Sequence, residues 1–477
     1  MTGATVRRPH WTQELPPVRE IDPERVRAAL VGARRLVVLD DDPTGTQTVR
    51  ELPVLTRWSV DDIRWALQQT TPGFFVLTNT RSLAPDAAAA RNREIAQACL
   101  RAAQTEGVRL AFASRGDSTL RGHFPLETDA LADVLAGNGD PVDGVLLSPA
   151  YLDAGRITLD GVHWLRQADG LLPVSDSEFA LDATFGYRSS RLADWVQEKS
   201  GGRLLNSEVL EISLAEIRSN TIAPLDIVHD GRVIVADAVV DDDIRALVLD
   251  VLAAEKAGTH LVYRAGPSFV RARVGQGATP AITDLQLTQI VHAASPRASR
   301  AHGLVIIGSH VDLTTRQLQR LRQRQAFTQI ELDVAAIIDD ARAREQLRAA
   351  AQTAIDSIDD GLVVLSTSRR LVTGDGPHES LAISRRVSAA IAEVTTGILA
   401  ARRPAFVIAK GGITSSDIAT DAMRIDRAWV RGSMLPGIVS LWEAASGPSA
   451  GIPYVVFAGN VGDDDSLADV VQRLELA

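Results

Sequence analysis

Residues Leu36, Val37, Val38 and Leu39 run straight into three aspartates, Asp40, Asp41 and Asp42, and then into the turn-forming Pro43, Thr44, Gly45 and Thr46. Four consecutive apolar residues fit a short strand buried on both faces, the kind that belongs to parallel sheets. In open α/β sheets, ligands bind just past the carboxyl ends of the strands, so this strand delivers acids to the place where chemistry occurs. A solvated acidic loop with a helix cap is the plainer reading. Mutual repulsion of three carboxylates crowded against one buried strand favours function.

The same arrangement recurs along the chain. Strands are expected at 74–77, 110–113 and 145–147, ending respectively in Thr78 to Arg81, in Ser114 to His123, and in Ser148, Pro149 and Ala150. Helices are expected at 59–69, led by Ser59, and at 86–104. Further strands fall at 232–236 and 260–264. A turn-rich boundary region follows, and the alternation restarts with strands at 304–307, 362–365 and 405–409. This pattern predicts an α/β protein of two doubly wound domains, each with a largely parallel sheet. At 477 residues the chain is too long for one ordinary core. The expected division is an N-terminal arm over 1–33, a first domain over 34–285 and a second over 286–477.

A net charge of −10 argues against non-specific nucleic-acid binding, and any anionic ligand must be met by local cations. The single cysteine, Cys99, excludes a disulfide framework and a cysteine metal cluster. No run of 18 apolar residues occurs, and none follows Arg7 and Arg8. The expectation is a cytoplasmic protein without membrane span or signal peptide.

Two further stretches carry chemistry. Arg115 and Arg121 share a turn with Asp117 and Ser118, and a helix N-terminus beside a forked guanidinium would receive a carboxylate or phosphate. Plain helix capping by Asp117 or Ser118 explains the same residues. At Lys410, Gly411, Gly412, Ile413, Thr414 and Ser415, paired glycines after a strand let backbone N–H groups approach a phosphate. Neither Walker spacing nor GxGxxG is present, and a plain turn remains open. Residues 155–163 read as a small hairpin laid over the site, with His163 a packed or surface histidine.

Together these pieces resemble the four-carbon acid sugar kinase family. The matching residues are Asp41 to Gly45, the string Asp117-Ser118-Thr119-Leu120-Arg121-Gly122, and Pro149, Ala150, Gly155, Arg156 and Gly161. In the second half they are Gly308-Ser309, Gly411-Gly412 with Thr414-Ser415, Pro436-Gly437, and Ala458 to Gly462. Phe457 stands where a lysine often precedes the last glycine turn. The resemblance implies a sugar-acid domain, an ATP domain, and an active site in the cleft between them where a terminal hydroxyl is phosphorylated.

On that reading Asp41 or Asp42 accepts the hydroxyl proton or orients the hydroxyl. Asp117, Ser118 and Thr44 hold the substrate, and Arg121, helped by Arg81 and Arg156, takes its carboxylate. Gly308, Ser309, Lys410, Gly411, Gly412, Thr414, Ser415, Gly459, Asn460 and Gly462 line the nucleotide. Mg²⁺ would arrive on the ATP phosphates, held by water and one protein carboxylate at most, without a dedicated metal site. Sugar acid and ATP are the expected partners, nucleic acid and membrane are not, and the oligomeric state is open, a homodimer included. Two alternatives remain. Asp40 and Asp42 also fit the nucleophile and acid/base of a haloacid-dehalogenase-type phosphatase, although Lys199, Lys256 and Lys410 lack that family's setting. An inactive sensor of sugar acid or nucleotide is the other.

Overall fold

A computed structural model describes residues 11–222, 225, 228–278, 280–294, 302–369, 372 and 377–477. The chain divides into two compact units, Met1–Gly45 with Arg57–Ala278, and Thr46–Thr56 with Thr279–Ala477.

The strands of the first unit are β1 (Arg35–Asp40), β3 (Gly73–Leu77), β4 (Leu110–Arg115), β5 (Gly144–Ser148), β9 (Leu210–Ile212), β10 (Arg232–Ala236) and β11 (Leu261–Ala265). β2 (Leu52–Leu55) belongs to the second unit. The first unit's order is β3-β1-β4-β11-β5-β10-β9, parallel throughout. Every residue of β3, β4, β5 and β11 is buried, as expected of strands covered on both faces. A separate antiparallel sheet of β6 (Arg156–Leu159), β7 (Val162–Gln167) and β8 (Gly170–Pro173) extends the expected hairpin by one strand.

Part of the expected arm, residues 1–10, lies outside the described residues. The rest is docked. Helix Pro23–Ala29 is capped by Asp22 and buries Val26. The Ile21 N–H donates to Asp242 at 2.7 Å, and Arg245 Nε donates to the Ile21 carbonyl at 2.6 Å. Val26 and Ile21 bury apolar surface that a free arm would leave in water.

The second unit adds β12 (Leu304–Ile307), β13 (Thr328–Leu332), β14 (Val363–Thr367), β15 (Val407–Lys410), β16 (Arg427–Leu435), β17 (Val439–Ala444) and β18 (Pro453–Phe457). β13-β14-β12-β15-β18 run parallel. β17, β16 and β2 extend this sheet antiparallel. Residues 46–56 therefore fall outside the span 34–285, in the second unit. Trp442 Nε1 donates to Thr46 Oγ1 at 2.9 Å, and the Glu51 N–H donates to the Val430 carbonyl at 2.5 Å. The contact division at 278/279 precedes the expected one because Ile282 packs in the second core and its N–H bonds the Ser433 carbonyl at 2.8 Å. Among the described residues, no helix is long and apolar enough to cross a membrane.

Candidate active site

In the first unit β1 ends on the acidic turn. Asp40 is 1% exposed, and its Oδ1 lies 3.1 Å from Arg115 Nη1. Burial pushes this carboxyl up to about 7 against the opposing pull of Arg115. Gly45 makes the turn possible, since a Cβ there would fall 1.8 Å from Asp40 Oδ2. Asp41 receives both sides of the Arg81 fork, from Nη2 at 2.8 Å and Nε at 3.2 Å. Asp42 Oδ1 accepts from the Thr44 N–H at 2.9 Å and hydroxyl at 2.6 Å, while its Oδ2 lies 3.4 Å from Arg81 Nη1. Burial works against ionisation of Asp42, but Arg81 and the Thr44 bonds outweigh it and hold the carboxyl below its usual range. Thr44 thus shapes the turn through Asp42.

β4 ends at Arg115, and residues 116–125 form a loop instead of the expected helix start. The next helix is Leu126–Gly137. Leu120 at φ +67° and Gly122 at φ +124° occupy left-handed backbone that a helix cannot use. The helix-terminus receptor is therefore absent here, and side chains make the site. Arg121 Nε donates to Asp117 Oδ2 at 2.6 Å, and its Nη1 lies 3.6 Å from Asp182. Burial of Asp117 is outweighed by Arg81, Arg121, Arg156 and the Thr119 hydroxyl, so its carboxyl stays well below the usual range. Arg156 donates to Ser118 Oγ at 2.9 Å and lies over the Tyr151 and Phe179 rings.

Several positioning residues were not legible as such. His163 is packed, as expected, and fully buried, with Nε2 2.8 Å from the Ser118 carbonyl and Nδ1 3.1 Å from Thr158 Oγ1. A carbonyl only accepts, so the proton sits on Nε2 and the Thr158 hydroxyl donates to Nδ1. Burial lowers its pKa to about 4, keeping the ring neutral. Tyr187 donates to the Thr119 carbonyl at 2.7 Å. Buried Glu127 accepts from Thr80 Oγ1 at 2.6 Å and Ser114 Oγ at 3.2 Å, tying together the residues that follow β3 and end β4. The His163 and Arg156 contacts come from the three-stranded sheet, so that sheet braces the Asp117 loop.

The second unit gathers glycine turns at the ends of three neighbouring strands, β12, β15 and β18. A Cβ on Gly308 would lie 2.1 Å from Thr414 Oγ1, and one on Gly459 would lie 2.3 Å from Ser309 Oγ. Gly411, at φ +127°, faces the Ser309 N–H and Thr414 Oγ1. These contacts bring Gly308, Ser309, Gly411, Thr414 and Gly459 together. Thr314 Oγ1 donates to the Gly459 carbonyl at 2.9 Å, and Arg369 donates to the Ser309 carbonyl at 2.6 Å. Gly462 packs on Ser466, Asn460 is exposed and Gly412 opens the helix Gly412–Asp417. Ser415 turns inward, its hydroxyl donating to the Ala409 carbonyl at 2.8 Å.

Lys410 is fully buried. Its Nζ donates to the Ala458 carbonyl at 3.0 Å and stands 3.8 Å from the centre of the Phe457 ring. No carboxylate lies within ion-pair distance among the described residues, and burial lowers its pKa to about 7. The amine is buried without a counter-ion among the described residues, and near neutral pH it is divided between its charged and neutral forms.

Residues 36–273 match the family described as "Sugar-binding N-terminal domain", and 304–467 match "Nucleotide-binding C-terminal domain". The chain belongs to the four-carbon acid sugar kinase family. It is 27% identical over 297 residues to the D-erythronate kinase of Heliobacterium modesticaldum, an alignment covering 61% of this chain and 59% of that one. With the D-threonate kinase of Salmonella typhimurium it shares 24% over 370 residues, 75% of this chain and 79% of the relative. Thus it spans about three-fifths of the first relative and four-fifths of the second. A crystal structure from Salmonella typhimurium LT2 superposes with a TM-score of 0.64 at 17% identity, covering 92% and 98% of the two chains. Haemophilus influenzae protein HI1011, of the DUF1537 family, gives 0.58 at 18%, covering 91% and 99%. At these identities the two structures establish the shared fold.

Proposed function

We propose that the protein is an ATP-dependent kinase that phosphorylates the terminal hydroxyl of a small sugar acid, four carbons long. The observation that carries this reading is the pairing of one unit rich in carboxylate–guanidinium clusters with another built of converging glycine turns around a buried lysine. Polyhydroxy acids need carboxylates for their hydroxyls and guanidinium groups for their carboxylate. Phosphates need close backbone approach and a cation.

Asp117 and Ser118 hold substrate hydroxyls, with Arg121, Arg81 and Arg156 supplying the positive field for the acid. Of the two candidate acceptors, Asp41 is 2% exposed while Asp42 is 21% exposed, so Asp42 faces the hydroxyl and Asp41 anchors Arg81. A carboxylate with a depressed pKa is a weak base. That suffices where the transition state is loose and positioning carries most of the catalysis. Gly308, Ser309, Gly411, Thr414 and Gly459 cradle the phosphates, and the buried Lys410 amine behind them adds positive field. Mg²⁺ enters as part of the MgATP substrate and screens the phosphate charge.

An ADP-release screen of the full chain against four- to six-carbon sugar acids, with an acceptor-free blank, tests the proposal. ADP should form only with an acid acceptor. Phosphate release from sugar phosphates without ATP would favour the phosphatase alternative, in which Asp40 would be the nucleophile. Binding without turnover would favour a sensor.

A further inference from the structure

Arg81, Arg115 and Arg121 each sit within ion-pair distance of a protein carboxylate. Arg264 does not. It stands on β11 between β4 and β5, in register with Ser114 and Leu147, and is 4% exposed. Its Nη2 donates to the Arg121 carbonyl at 3.0 Å, whereas its Nη1 is buried without a protein partner. No carboxylate oxygen among the described residues reaches its guanidinium.

Two glycines of the Asp117 loop make room for this group. A Cβ on Gly116 would fall 1.2 Å from Nη1, and one on Gly122 would fall 2.9 Å from Nη2 and 3.2 Å from Asp41 Oδ2. The guanidinium therefore lies between the two ends of the segment carrying Asp117, Ser118 and Arg121, beside the acidic turn. A buried cation with an unused donor calls for an anion or a polar ligand atom. Arg121 is already engaged by Asp117, which fits it to hold the loop.

We propose that Arg264 binds the carboxylate of the substrate through Nη1, making it a specificity residue for acids. This rests on the sugar-acid reading of the site. The glycines at 116 and 122 are then needed because any side chain there would displace the guanidinium.

The test is steady-state ADP release by the full chain with D-erythronate and D-threonate, with acid and MgATP varied separately. Arg264→Met should raise the acid KM roughly 10–100-fold, the loss of a charge-assisted hydrogen bond, while the KM for MgATP stays put. Arg264→Lys keeps a charge but lacks the forked donor, and should raise the acid KM several-fold. It also decides the matter if the Met variant fails to fold. A purely structural role would lower thermal stability and kcat without moving the acid KM, and that result overturns the proposal. A wild-type chain inactive with every sugar acid would bring down the parent reading, and this one with it. Normal wild-type turnover with an unmoved acid KM in the variants removes Arg264 alone.

Discussion

The two units solve opposite electrostatic problems. In the first, Asp40, Asp41, Asp42 and Asp117 are interleaved with Arg81, Arg115 and Arg121, and most charges are settled within the protein. In the second, the glycine turns bring hydroxyls and N–H groups together around Lys410, a buried amine facing only a carbonyl and a ring. The first is preorganised before any ligand arrives, and its dipoles need no rearrangement. The second keeps a buried amine whose charged form an anion would favour. Recognition of a flexible polyol rewards rigidity, whereas recognition of a highly charged phosphate rewards an uncompensated cation.

Removing a charge from the balanced unit should have the largest effect. Asp117→Ala takes away a carboxylate that Arg121 holds directly and Arg81 and Arg156 stabilise, along with its substrate contacts. At about 1.5–3 kcal/mol for each of two charge-assisted hydrogen bonds, kcat/KM for the acid should fall by about 10²–10⁴-fold. Nucleotide affinity, read by calorimetry, should stay near normal, and equal loss of both would erase the contrast between the units. Asp42→Asn should reduce kcat by about 10²-fold, the low end for a positioned base, and leave both KM values close to wild type in single-turnover and steady-state assays.

The second unit should yield to volume where the first yields to charge. Gly308→Ala and Gly459→Ala place a methyl against Thr414 Oγ1 and Ser309 Oγ, at positions whose φ is not in the left-handed region, so only space is altered. The KM for MgATP should rise by roughly 10-fold, about 1.4 kcal/mol, with the acid KM unmoved.

Lys410→Met gives the most diagnostic change, one read in stability and not in turnover. Burial lowers the amine from 10.5 to about 7, so the charged form costs stability in full below pH 7. That cost declines as pH rises from 7 to 10.5 and is gone above it. The Met variant should therefore melt a few degrees higher than wild type at pH 6, with the gap closing toward pH 10.5, and should gain less stabilisation from MgATP. A constant gap across that range would mean that Lys410 is not a buried charge.

Much of this was legible in the chain. The apolar tetrads ending in polar turns located β1, β3, β4, β5, β12, β14 and β15 to within a few residues, because a strand buried on both faces has no polar face to disguise it. The glycine turns were legible for a similar reason: only glycine tolerates a neighbour where a Cβ would stand. Long-range pairing was not legible. Nothing local in residues 46–56 says that they finish another unit's sheet, and β16 and β17 carry antiparallel ladders that periodicity does not link to β18. The Asp117 stretch has capping residues, yet left-handed Leu120 and Gly122 turn it into a loop, a choice made by tertiary contacts with His163, Arg156 and Tyr187. Arg264 sits in an ordinary strand and shows its role only beside Gly116. Phe457, where a lysine often stands in the family, faces Lys410 across the β15–β18 ladder, so this turn still holds an amine, supplied by the paired strand.

The excursion of residues 46–56 has a practical consequence for anyone dividing the molecule. A fragment beginning near residue 286 lacks the strand that pairs with β16, leaving the backbone of Arg427 to Val430 as an open ribbon edge. Such edges recruit other chains and aggregate. A synthetic peptide spanning 46–56, supplied in trans or grafted through a short linker, should seal that edge and recover a monodisperse fragment, turning the crossing into a handle for split-protein complementation.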